Sequence, residues 1–133
     1  MRIFVDTNVF LDIALQRERY RESLIVFKAI KEGIFEGVVA DITLLNIDYV
    51  SRRMEGDVRD FLSAIERYHT VVGVDNRVIR DALALGHDDF EDAVQYLLAK
   101  ESRCDCIVTN DASFYSGEIE ILSSDAFVEK YLL

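Results

Sequence analysis

The chain has 133 residues, of which 50% are hydrophobic and 30% charged, and its formal net charge is −10. This length and composition predict a single folded domain over residues 1–133 and exclude a disordered chain. No apolar run approaches the roughly 20 residues of a membrane span. Polar residues interrupt the apolar core that a signal peptide would have near the N-terminus, so we expect a cytoplasmic protein. The acidic balance argues against nonspecific binding to nucleic acid and favours carboxylates that gather around a hard cation.

Short runs of apolar and β-branched residues alternate along the chain with segments of helical periodicity. The strand-like runs are RIFV (2–5), GVVA (37–40), TVVGV (70–74), CIVT (106–109) and IEIL (119–122). The apolar side chains expected on the inner faces of helices 20–33 and 57–68 are Leu24, Ile25, Phe27, Ile30 and Ile34, and Val58, Phe61, Leu62 and Ile65. The alternation predicts an α/β fold, a three-layer α/β/α sandwich with a central parallel sheet.

Residues typical of helix ends mark several boundaries. Asp75 precedes a segment that ends at Gly86, which predicts a capped helix between them. Asp88 and Glu91 have the spacing of a capping box before AVQYLLAK.

Three aspartates directly follow predicted strands, where the ligands of a parallel sheet collect. They are Asp6, Asp41 and Asp111, and Asp89 and Asp92 add a pair one helical turn apart. Each has a simpler interpretation. Asp41 is expected to be only the N-cap of helix 42–53, strand-end aspartates often cap the next helix, and acids in a first turn complement the helix dipole.

Carboxylates that share one edge of a sheet repel one another and raise their own pKa unless a cation neutralises them. Oxygen ligands suit Mg²⁺ or Mn²⁺, whereas the two histidines and the cysteine spacing do not fit zinc. A metal of this kind lowers the pKa of a bound water and favours hydrolysis of a phosphodiester.

Four segments resemble the PIN-domain ribonucleases, a family that includes the toxins of many prokaryotic toxin–antitoxin pairs. The segments are VDTNVFLD (5–12), ITLLNIDYVSRR (42–53), DFEDAVQYLLA (89–99) and IVTNDASF (107–114). The resemblance implies a parallel sheet between helices and Mg²⁺- or Mn²⁺-dependent cleavage of single-stranded RNA. It also implies a small antitoxin protein and a homodimer as partners.

The resemblance also assigns roles to residues at matching positions. It implies Asp6, Asp92 and Asp111 as metal ligands and catalytic residues, Asp89 as a supporting acid, and Asn8 and Thr109 as residues that orient the carboxylates. One position departs from the commonest pattern, because Asn46 stands where many members have a glutamate, with Tyr49 three residues later. The loss of one negative charge there leaves an alternative function, a non-catalytic PIN-like module that binds RNA or a protein partner.

An RNA nuclease with this net charge needs local cations. The candidates for RNA binding are Arg17, Arg19, Tyr20, Arg52 and Arg53. Arginine binds phosphate through two parallel hydrogen bonds and tyrosine offers a face for base stacking. The alternative interpretation is a solvated surface with internal salt bridges.

Overall fold

The computed structural model describes residues 1–54 and 57–133. Its strands are β1 (Arg2–Val5), β2 (Glu36–Ala40), β3 (His69–Val72), β4 (Cys106–Val108) and β5 (Glu120–Leu122). Its helices are α1 (Thr7–Ala14), α2 (Tyr20–Lys31), α3 (Asp41–Arg53), α4 (Arg59–Tyr68), α5 (Asn76–Leu85), α6 (Phe90–Glu101) and α7 (Ser124–Tyr131). Over the described part of the chain, the helices are too short or too polar to traverse a lipid bilayer.

The five strands form one parallel sheet in the order β3-β2-β1-β4-β5. β1 lies at its centre, where Ile3 pairs with Gly37 on one side and Cys106 on the other. The carboxyl ends of β1 and β4 are therefore neighbours, and the Asp6 amide continues the ladder by donating to the Val108 carbonyl at 3.0 Å. The predicted α/β fold with a central parallel sheet is confirmed.

Two hydrophobic cores lie on opposite faces of the sheet, as the alternation of side chains along a strand requires. In β1, Ile3 and Val5 enter one core and Phe4 enters the other. The first core is covered by buried residues of α1, α2, α3, α4 and α7. The second is covered by α5 and α6, so the sheet is the middle of three layers.

The buried face of α2 agrees only in part with the prediction, since Ile30 is buried and Phe27 packs against the first core. Ser23, Val26, Ala29 and Ile30 are the buried residues of α2, whereas Ile25 is 44% exposed. Ile34, also predicted on this face, follows the helix and is 55% exposed. The apolar residues of α2 form two overlapping faces. Packing against α1 and α7 buries the face that contains Ser23.

Both predicted ends of α5 agree with the structure, whereas the starts of α6 and α3 differ from the prediction by one residue. Asp75 caps α5 by accepting from the Val78 amide, and Gly86 ends the helix in the left-handed region at φ 66°. The cap of α6 is Asp89 rather than Asp88, because Asp89 accepts from the Asp92 amide. Asp41 is the first residue of α3 rather than its N-cap, which is Ala40.

Gly37→Ala is expected to lower the free energy of unfolding by about 1–3 kcal/mol, since it overpacks a close contact. A Cβ at this position would lie 2.6 Å from Cδ2 of His69 and 2.8 Å from Cγ2 of Ile30. Gly73→Ala is the matched control, because its Cβ would meet only Oδ2 of Asp41 at 3.6 Å. Urea unfolding of both variants measures the difference, and equal midpoints would contradict the expectation.

Candidate metal centre

Three carboxylates converge at the carboxyl edge of the sheet. Asp89, Asp92 and Asp111 each offer an oxygen, and these oxygens lie within 4.8 Å of one another. We name these residues the acidic group. α6 supplies Asp92 and its N-cap Asp89, and the loop after β4 supplies Asp111. The fold therefore brings together two of the three predicted ligands, with Asp89 as the third member.

Asp92 is the most perturbed acid of the group. Its side chain is buried, and Oδ2 has no hydrogen-bond partner among the described residues. Burial, followed by the charges of Asp6 and Asp89, raises the pKa of Asp92 to about 8. A buried carboxylate without a partner is costly, and a cation among these oxygens would remove that cost.

Asp6 lies at the end of β1, buried beside the acidic group. Its Oδ1 accepts a hydrogen bond from Nε2 of Gln95 and its Oδ2 accepts one from Oγ1 of Thr109, both at 2.7 Å. Burial raises the pKa of Asp6 to about 6, although the Thr109 and Gln95 hydrogen bonds lower it. Asp6 precedes α1 but makes no side-chain capping bond, so a capping role does not explain this residue.

The loop after β4 is held by hydrogen bonds to α1. Oγ1 of Thr109 accepts from the Asp111 amide at 3.1 Å and from Nδ2 of Asn8 at 3.4 Å. Ser113 donates its amide and hydroxyl to Oδ1 of Asp111, which holds the pKa of Asp111 below its usual value. Thr109 therefore contacts both Asp6 and Asp111, and Asn8 contacts Thr109, an arrangement that fits an orienting role for both residues.

Three residues that the sequence analysis did not assign to the site also belong to it. Gln95 is fully buried and lies on the same face of α6 as Asp92, three residues earlier. Glu91 accepts a hydrogen bond from the Thr7 hydroxyl at 3.0 Å. Asn110 joins α1 to the loop by donating to Oδ2 of Asp12 at 2.6 Å. An amide within the apolar stretch AVQYLLA was the sequence signal for Gln95.

Asn46 is half-buried on α3, one turn after Thr43. The Thr43 hydroxyl lies 2.8 Å from the Thr7 hydroxyl, which ties α3 to α1 near the acidic group. Within residues 1–54 and 57–133, no hydrogen bond links Asn46 to the acidic group. The participation of Asn46 in metal binding stays a prediction.

The predicted RNA-binding residues fall into two sets. Arg52 and Arg53 end α3, where Arg52 pairs with Asp48 at 3.1 Å and Arg53 lies over the Tyr49 ring. RNA binding by these two arginines stays a prediction. Arg17 and Arg19 lie in the α1–α2 connection in loose pairs, Arg17 with Asp12 at 3.9 Å and Arg19 with Asp125 at 3.7 Å.

Tyr20 begins α2 and is half-buried, with Arg21 6.0 Å from its ring centre. Tyr20 lines neither of the two clefts that adjoin Asp111. Base stacking on Tyr20 stays a prediction.

Two clefts adjoin Asp111. The first has a volume of about 480 Å³, and the residues that line it are Asn8, Asp12, Arg17, Glu18, Arg19, Asn110 and Asp111. The second has a volume of about 390 Å³ and shares Arg19, Asn110 and Asp111 with the first. Arg17 and Arg19 therefore face the same concave surface as one member of the acidic group.

Comparison with known proteins identifies the family. The family model described as PIN domain matches residues 2–113. The chain belongs to the PIN-domain family. Strands β1 to β4, and the acids at the ends of β1 and β4, lie within the matched part of the chain.

This PIN domain is similar over nearly its whole length to a protein named as a ribonuclease. It is 26% identical over 141 residues to "Ribonuclease VapC1" of Aquifex aeolicus (strain VF5), an alignment that covers 98% of this chain and 95% of the relative.

Two solved structures share the fold. One is a chain of a toxin–antitoxin complex from Klebsiella pneumoniae, with a TM-score of 0.69 and 15% identity over 92% of this chain and 97% of that chain. The other is VapC20 of Mycobacterium tuberculosis, described as a toxin that cleaves the sarcin–ricin loop. Its TM-score is 0.67, with 17% identity over 84% of this chain and 92% of that chain.

Proposed function

We propose that this PIN domain is a Mg²⁺- or Mn²⁺-dependent endoribonuclease that cuts single-stranded RNA. The observation that carries the proposal is the buried Oδ2 of Asp92, which has no hydrogen-bond partner in the described part of the chain and belongs to a group of carboxylates whose oxygens lie no more than 4.8 Å apart. The ribonuclease name of the Aquifex relative supports the reaction class. We propose that this activity takes place in the cytoplasm.

The donor set fits a hard divalent cation. Oxygen ligands are what Mg²⁺ and Mn²⁺ prefer, and Asp92, Asp111 and Asp89 supply them from one edge of the sheet. When bound, such an ion lowers the pKa of a water and neutralises charge on a phosphate. Asp6 adds a fourth carboxylate beside the group and would help to hold such an ion, directly or through water.

The other residues of the site position these carboxylates. Gln95 and Thr109 fix both oxygens of Asp6, and Thr109 also accepts from the amide of Asp111. Because hydrogen bonds hold Asp6 and Asp111 before any ion arrives, little conformational freedom is lost when one binds. Arg17 and Arg19 bind backbone phosphates of the RNA in the first cleft, where their carboxylate partners stand 3.7–3.9 Å away.

We infer that the protein is the toxin of a toxin–antitoxin pair. The Aquifex relative carries the name VapC1, and one structural neighbour comes from a toxin–antitoxin complex. The partner would be an antitoxin protein that blocks the acidic group. A homodimer is a further expectation of the family resemblance.

A second candidate function is a non-catalytic PIN module that binds RNA or a protein partner. Asn46 favours it, because a neutral amide at this position leaves the site one carboxylate short of the commonest family pattern. The two candidates differ in whether bound RNA is cut.

The deciding experiment incubates a pool of single-stranded RNA with the protein and Mn²⁺, using wild type, Asp111→Asn and Asp81→Asn. We expect Asp111→Asn to lower the cleavage rate by roughly 10²–10³-fold, since loss of a ligand removes several kcal/mol of transition-state stabilisation. Asp81→Asn is the matched control, an exposed acid on α5 that keeps the net charge equal. RNA binding without cleavage by wild type would favour the non-catalytic candidate.

A further inference from the structure

The second cleft differs in chemistry from the first. Beyond the shared Arg19, Asn110 and Asp111, its lining includes the apolar residues Phe114 and Ile121. Ser116 and Ser123 also line it, and the Ser123 hydroxyl accepts a hydrogen bond from the Ala126 amide at 3.3 Å. Its volume of about 390 Å³ falls in the range of roughly 300–1,000 Å³ that is typical of small-molecule sites.

Charge indicates which part of a nucleotide this cleft would take. Asp111 at its border repels a phosphate, and Arg19 is the arginine in its lining. An uncharged planar base can pack against the apolar residues Phe114 and Ile121, and its polar edge can form a hydrogen bond with the Ser116 hydroxyl. The phosphate attached to that base would then lie toward Arg19, at the boundary between the two clefts.

Resting on the ribonuclease function proposed above, we propose that the second cleft binds the base of the nucleotide beside the cleaved bond. Because Asp111 belongs both to the acidic group and to the lining, a base in this cleft would lie next to a phosphate held at the acidic group. Ser116 and Ile121 then determine which bases are accepted. Arg19 positions the connecting phosphate.

The pairing of Arg19 with Asp125 is consistent with this assignment. The two groups are 3.7 Å apart and both are about half exposed, so the contact contributes little and can be exchanged for a phosphate. Asp125 lies in the first turn of α7, two residues after Ser123, which caps this helix and lines the second cleft. The base cleft and the arginine are thus held by the same end of α7.

The first arm of the test fills the cleft and reads the cleavage pattern. Ser116→Phe places a ring in the cleft from its exposed rim, and Ser63→Phe makes the same change on the exposed side of α4. With a random single-stranded RNA pool and Mn²⁺, we expect Ser116→Phe to raise KM about tenfold, in line with the stacking of one base, and to alter the base preference beside the cut. Ser63→Phe should leave both unchanged.

The second arm needs neither catalysis nor a folded variant. Backbone amides of residues 112–116 and 121–123 in the wild-type protein are followed by NMR while each 5′-mononucleotide is added without metal, with inorganic phosphate as the control probe. We expect mononucleotides to shift these amides and phosphate alone to leave them unshifted.

The two arms separate the two proposals. Wild type that cuts no RNA would contradict the ribonuclease function, and the NMR arm would still decide the base site. Unshifted amides with all four mononucleotides would overturn the base site, as would a Ser116→Phe variant with the KM and cleavage profile of wild type.

Discussion

Asp92→Asn is expected to unfold at a temperature roughly 5–10 °C above that of wild type at neutral pH without divalent metal. The pKa of about 8 for Asp92 means that folding at pH 7 must protonate a carboxyl that is ionised in the unfolded chain. That work is of order 2–4 kcal/mol, and an amide at this position avoids it. A gain of this size corresponds to several degrees for a domain of 133 residues.

The same substitution is expected to abolish stabilisation by Mn²⁺. Wild type should melt higher as Mn²⁺ is added, because a ligand that binds only the folded state stabilises it by mass action. Asp92→Asn loses the buried negative charge that a cation would neutralise and should show no such shift. Calorimetric titration and thermal melts with and without Mn²⁺ measure both effects.

Asp88→Asn is the matched control for Asp92→Asn. Asp88 is exposed, lies four residues before Asp92 and is outside the acidic group, so its metal response should match that of wild type. An Asp92→Asn variant that melts below wild type without metal, or that binds Mn²⁺ as wild type does, would contradict the role given to this residue.

The approximate positions of strands and acids could be predicted because each depends on local sequence. The β-branched runs alternate with helical periodicity, and in a parallel sheet the chain leaves every strand at the same edge. Asp6 and Asp111 thus meet at one edge once β1 and β4 are recognised as neighbours. Asp89 and Asp92 lie near the same edge because α6 begins there.

The detailed contacts of the site could not be predicted, because they depend on packing between distant segments. Gln95 reaches Asp6 across 89 residues of sequence, and periodicity places it among core residues without indicating a polar partner. Sequence spacing also does not show that hydrogen bonds occupy both oxygens of Asp6 while Oδ2 of Asp92 has no partner among the described residues. That difference makes Asp92 the sharper test of metal binding.

The metal-free protein is expected to lose stability as the pH rises from about 6.5 to 8. The folded-state pKa of Asp92 is raised, so its contribution to stability is fully present below the unfolded pKa of about 4 and is lost as pH rises through about 8. Above about pH 6.5 this group dominates, and the slope approaches about 1.4 kcal/mol per pH unit. Urea unfolding at a series of pH values in a chelating buffer measures this pH dependence of the free energy of unfolding.

Below about pH 6.5, Asp6 and His69 change the stability of the protein in opposite directions as the pH varies. Asp6, with a pKa raised to about 6, also loses its contribution as the pH rises. Burial lowers the pKa of His69 to about 4, so its contribution is present above about pH 6.5 and is lost as the pH falls toward 4. The effects of Asp6 and His69 on stability partly cancel between pH 4 and 6. Above that range the pH dependence of the free energy of unfolding reports Asp92 most directly.

Saturating Mn²⁺ should remove the downward slope between pH 6.5 and 8 or reverse it. The metal competes with the proton on Asp92, so its affinity rises with pH and offsets the loss seen without metal. Asp92→Asn should flatten the metal-free profile over the same window, whereas Asp88→Asn should keep it. A wild-type profile that is flat without metal would show that Asp92 is ionised in the folded protein. Oδ2 of Asp92, which has no hydrogen-bond partner within residues 1–54 and 57–133, would then need a different counter-charge.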